Sequence, residues 1–90
     1  MFNNVQKGRN MTTTILRLPA VCTQRALSRS SVYLQIQDGL FPPPINTGTR
    51  AVGWPAVEVD AINRARISGK SDDQIRTLVL GLITARQSLA

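Results

Sequence analysis

Hydrophobic residues in this chain recur at three- and four-residue steps over four stretches, divided by segments containing proline or glycine. That period marks helices with one buried face. In the first stretch, Ile15 to Arg25, the residues Leu18, Val21 and Cys22 form a short apolar face. Pro19 fits the first helical position, where a missing N–H costs nothing. Arg25-Ala26-Leu27 makes the turn into the second stretch. There Ser28 is a suitable N-cap, because its hydroxyl can accept from an unpaired N–H of the first turn. Gly39 suits the far end, where a left-handed residue closes a helix without a Cβ clash. Between them Val32 and Ile36 lie four apart, with Leu27 before and Leu40 and Phe41 after. The opposite side carries Arg29, Ser30, Tyr33 and Gln37 and is free of acid until Asp38.

The helical period breaks at Pro42-Pro43-Pro44, which forces an extended chain. Ile45-Asn46, Thr47-Gly48-Thr49-Arg50 and Ala51-Val52-Gly53-Trp54 then read as strand, turn and strand, with Arg50 at the bend. Trp54 is expected in the core, clamping this hairpin onto the helices. Pro55 opens a third helix, with Val59 and Ile62 inward, Ala65 and Arg66 following, and Ser68-Gly69 at its end. Glu58 and Asp60 sit favourably near its positive terminus. Ser71-Asp72-Asp73-Gln74 is a capping box for a fourth helix. Its apolar stripe, Ile75, Leu78, Val79, Leu82 and Ile83, is more than a lone helix could keep in water. Either it packs back on the preceding domain or it pairs with another copy. Gly81 within that face lowers helix stability by roughly 1 kcal/mol and permits close approach of a neighbour.

These elements give a mostly α fold with a small β-hairpin wing, the outline of a winged helix-turn-helix plus a C-terminal helix. Residues 1–14 are polar without periodicity and read as a disordered tail. Residues 15–68 form the winged domain, and residues 69–90 an amphipathic helix available for oligomerisation.

Several runs carry a resemblance: Leu16-Arg17-Leu18-Pro19-Ala20-Val21, Leu27-Ser28-Arg29-Ser30-Ser31-Val32-Tyr33, Ile36, Gly39, Phe41-Pro42-Pro43-Pro44, Gly48, Arg50-Ala51-Val52-Gly53-Trp54-Pro55 and Glu58-Val59-Asp60-Ala61. Together they resemble the AlpA family of prophage-associated DNA-binding regulators, relatives of excisionase and MerR-like winged-helix domains. The most specific part runs through Phe41-Pro42 and from Arg50 to Trp54. The resemblance begins after Met11, which makes Met11 a second candidate start. It implies a glycine in many relatives at the position of Ala26 and a tryptophan in others at that of Ile62. It also implies Arg or Lys in relatives at Leu34, Leu40, Pro43 and Asn46. Their loss here predicts fewer phosphate contacts and a shallower salt dependence.

Ninety residues with 42% hydrophobic content allow one small domain with a modest core. The net charge of +6 suits a polyanionic partner. One cysteine, Cys22, excludes an internal disulfide, fits a reducing interior and fills core space. No apolar run could span a bilayer and no signal peptide is visible, so a cytoplasmic protein is expected. With no histidine and no metal-ligand cluster, the sequence points away from an enzyme, a cofactor or a small-molecule ligand. Asp72 and Asp73 are explained by capping.

Double-stranded DNA remains as the partner. Arg29, Ser30 and Ser31 at the start of the second helix would meet base edges or flanking phosphates. Tyr33 would contact a phosphate or a thymine methyl, or else cover the core edge with its ring. Gln37 closes the same face. Arg50 would reach the neighbouring backbone or minor groove, or else keep the wing tip soluble. A module this small buries little DNA surface, so paired or repeated sites and a homo-oligomer through the C-terminal helix are expected. The first functional reading is a sequence-specific transcriptional regulator of a prophage or mobile element. An excisionase-like recombination directionality factor comes second and a protein-interaction adaptor third.

Overall fold

The computed structural model describes residues 14–89, which form four helices and three short strands. The order is β1 (Ile15–Leu16), α1 (Leu18–Arg25), α2 (Arg29–Gln37), β2 (Ile45–Asn46), β3 (Val52–Pro55), α3 (Ala56–Ile67) and α4 (Asp72–Ala85), closed by a 3-10 turn at Arg86–Leu89. The fold is the expected mostly helical winged helix-turn-helix with a C-terminal helix. Apart from Thr14, the segment read as a tail lies outside the described residues.

The wing is larger than a hairpin. Its three strands are antiparallel in the order β1-β3-β2, so β3 is central. Ile15 faces Pro55 and Leu16 faces Trp54, while Ile45 pairs with Gly53 and Asn46 with Val52. The Ala56 N–H extends the first ladder by donating to the Thr14 carbonyl at 2.8 Å. Ile15 and Leu16 therefore belong to the sheet and not to the first helix. A two-residue strand is too short to show an alternating period, which is why it was hidden in the sequence. Gly53 is fixed by crowding at this centre: an added Cβ would lie 2.6 Å from the Ile15 Cγ2 and 3.0 Å from the Leu16 carbonyl oxygen.

The helix ends follow the expected capping with two shifts of position. Pro19 is the second residue of α1, and Pro55 ends β3 while serving as the N-cap of α3. On α2, the Ser28 hydroxyl accepts from the Ser31 N–H at 3.2 Å. At the other end Gly39, at φ 79°, lets its own N–H donate to Ile36 and the Leu40 N–H donate to Gln35. The capping box of α4 is complete, with Ser71 Oγ accepting from the Gln74 N–H and Gln74 Oε1 from the Ser71 N–H. Ala26 closes the turn between α1 and α2 in the left-handed region, at φ 56°.

The core joins α1, α2, β3, α3 and α4 through Val21, Val32, Trp54, Val59, Ile62 and Ile75. Trp54 is the clamp: its indole N–H donates to the Pro42 carbonyl at 2.9 Å, and Phe41 packs on it with ring centres 6.3 Å apart. The apolar face of α4 packs back, burying Ile75 and Val79 and partly covering Leu78, Leu82 and Ile83. Gly81 departs from the close-approach reading, since a Cβ there would meet nothing within 4 Å. It lies on the exposed side of α4, beside Leu80.

Glu58 also departs from its expected place. It is 3% exposed, and Arg86 grips its carboxylate with two donors at 2.9 and 2.7 Å. The same guanidinium donates to the Pro43 carbonyl at 2.7 Å, so the C-terminal turn pins the proline loop to α3. Arg66 is half-buried and pairs with Asp72 at 3.0 Å. Among the described residues, no helix is long and apolar enough to cross a membrane.

Candidate nucleic-acid interface

The caps at Ser28 and Gly39 fix α2 against the core by Val32 and Ile36, which leaves its other side exposed. Arg29 and Tyr33 on that helix, Arg17 just before α1 and Arg50 on the wing line one open cleft of about 460 Å³. Leu18 and Cys22 of α1 and Val52 of β3 also line it. Three arginines thus converge from three elements, and no carboxylate lines the cleft.

The placement of the acids sharpens this asymmetry. Asp60 pairs with Arg64, Asp72 with Arg66, Asp73 with Arg76 and Glu58 with Arg86. The remaining acid, Asp38, caps the far end of α2. Among the described residues, Arg17, Arg29 and Arg50 have no ion-pair partner. Arg25 and Lys70 are likewise unpaired but lie off the cleft, so among the described residues three of the five unpaired cations line it.

The residues read as a binding set fall into three groups. Arg29, Tyr33 and Arg50 share the cleft. Ser30, Tyr33 and Gln37 are exposed at steps of three and four along the outer side of α2. Ser31 sits apart, half-buried, with its hydroxyl 2.9 Å from that of Ser28 in the cap network. Tyr33 is 44% exposed, and its ring meets Trp54 edge-on with centres 6.4 Å apart.

Arg25 points the other way. Its guanidinium lies 5.1 Å over the Phe41 ring and donates to the Gln35 Oε1 at 3.2 Å from one nitrogen. Burial, reinforced by the positive charge of Arg66, pushes its pKa below the usual arginine value. It braces α1 against α2. A contact from α4 braces the other end: Arg76 donates to the Asp38 carbonyl at 2.9 Å, satisfying the C-terminus of α2.

The family described as prophage CP4-57 regulatory protein (AlpA) matches residues 14–67. The chain belongs to the AlpA family. It is also 42% identical over 55 residues to a protein of Enterobacteria phage P4 named uncharacterized protein ORF88. That similarity covers 61% of this chain and 62% of the phage protein, so it spans less than two thirds of the relative's length. No solved structure matches the chain.

Two residues of this AlpA-family chain that bear on the interface escape sequence reasoning. Arg17 belongs to the first run of the resemblance and to the net charge but not to the expected binding set, although its place as the N-cap of α1 marks it as a terminal, outward side chain. Leu34 enters the sequence reading only as a position where the resemblance implies Arg or Lys, and it is 57% exposed on the outer side of α2.

Proposed function

We propose that this protein is a sequence-specific transcriptional regulator of a prophage or mobile element that binds double-stranded DNA. The observation that carries this reading is the convergence of Arg17, Arg29 and Arg50 on one acid-free face, beside the exposed side of α2. In this arrangement α2 enters the major groove, where Ser30, Tyr33 and Gln37 meet base edges and Arg29 meets guanine or a flanking phosphate. Ser31, at the edge of the same helix end, meets a phosphate. Arg50 follows the wing to the adjacent backbone or minor groove. Arg17 adds a third phosphate contact. Phosphate contacts set the register and the uncharged α2 residues supply sequence information.

One such module covers little DNA, so copies occupy paired or repeated sites and associate through the outer side of α4. The exposed Leu80 favours that surface. Sedimentation over a range of concentrations, with and without DNA, tests it; a constant monomer mass under both conditions contradicts it.

The DNA-binding reading is tested by selecting duplexes from a random pool with the full chain and comparing gel shifts. Arg29→Ala and Arg50→Ala are expected to weaken the complex on the order of tenfold each. Unchanged shifts, with folding verified by circular dichroism, would contradict it.

A further inference from the structure

We propose that Leu34 is a specificity-determining residue that reads the 5-methyl group of a thymine in the major groove. This assignment rests on the DNA-binding reading above and names the chemistry of its central contact. Ser30, Tyr33, Leu34 and Gln37 stand at positions i, i+3, i+4 and i+7, which places all four on one side of α2. All four are exposed and none is charged. An uncharged strip bordered on its Tyr33 side by the cleft arginines divides the labour of DNA recognition: the arginines suit phosphates and the strip suits base edges.

A single exposed leucine ordinarily needs no explanation. Leu34 differs through its neighbours. It is 57% exposed and lies one turn from Ser30 on one side and from Gln37 on the other. The other large exposed aliphatics, Ile15, Val57, Ile67 and Leu80, all lie off this helix. Leucine can neither donate nor accept a hydrogen bond. Facing the major groove, it finds one complementary apolar group, the thymine methyl. Tyr33, the other hydrophobic body on the strip, already turns its ring edge-on to Trp54. Gln37, one turn on, has the paired donor and acceptor that match adenine. The middle of the strip therefore selects A·T pairs over G·C pairs.

The test uses the duplex selected by the full chain, with each thymine replaced in turn by deoxyuridine, which removes the methyl and keeps the hydrogen-bonding edge. At one position the substitution is expected to weaken wild-type binding by about fourfold, the worth of one methyl group taken from water. Leu34→Ala is expected to bind the parent and the substituted duplex equally, while Ile67→Ala, at an exposed aliphatic residue on α3, keeps the discrimination. Equal wild-type binding to every substituted duplex would overturn the assignment, as would undiminished discrimination in Leu34→Ala. A pool that yields no preferred duplex would defeat the DNA-binding reading itself, and this assignment with it.

Discussion

Ala26 holds a backbone conformation that L-residues avoid, with φ 56° in the turn between α1 and α2. The left-handed region brings Cβ too close to the following carbonyl, at a cost of roughly 1–2 kcal/mol. The short Arg25-Ala26-Leu27 connection marks a turn in the sequence, and the dihedral shows that alanine takes a conformation glycine would hold without strain. Ala26→Gly is therefore expected to stabilise the fold by about 1 kcal/mol, less the entropy that glycine restores to the unfolded chain. Gly81 is the converse case. It stands mid-helix with open space around it, so Gly81→Ala should add roughly 1 kcal/mol through helix propensity alone. Urea denaturation reads both changes, and a loss of stability from either would contradict the local geometry. Gly53 predicts the opposite sign. Its missing Cβ makes room for Ile15 and the Leu16 carbonyl, so Gly53→Ala should destabilise the sheet.

At the scale of elements, what was legible follows the reach of the signal. Caps and periodic faces are local patterns, and Ser28, Gly39, Ser71 and Gln74 were all readable from a few neighbouring residues. The strand β1 was not, because two residues carry no period and their partners Trp54 and Pro55 lie about forty positions away. The Glu58–Arg86 pair was hidden for the same reason. Glu58 looked like a solvated acid at a helix N-terminus, and nothing nearby announced a partner in the C-terminal turn. That pair ties three elements together, since Arg86 also holds the Pro43 carbonyl. Arg86→Ala leaves the Glu58 carboxylate buried without a counter-charge, and should cost about 3 kcal/mol. Glu58→Gln combined with Arg86→Ala should recover part of that loss, because no buried charge remains. A single-variant cost within a few tenths of a kcal/mol would mean that the clamp is solvated and unimportant.

Across the whole molecule, the distribution of charge matters more than its sum. A net charge of +6 is compatible with many basic proteins, and the sequence could not say which cations were free. Folding answers this by pairing four of the five acids with Arg64, Arg66, Arg76 and Arg86, away from the cleft. Arg29 and Arg50 were picked from the sequence for their positions on a helix start and a wing bend. Arg17 joins them only in three dimensions, through the cleft that all three line. The most direct measurement compares DNA affinity over a salt series for wild type, Arg17→Ala, Arg29→Ala, Arg50→Ala and, as an equal charge change on α3, Arg64→Ala. Each cleft variant is expected to weaken binding and to flatten the salt slope by about 0.9, one phosphate contact, while Arg64→Ala leaves the slope unchanged. Equal losses from Arg64→Ala and the cleft variants, or no loss from any of them, would contradict a single DNA-facing surface.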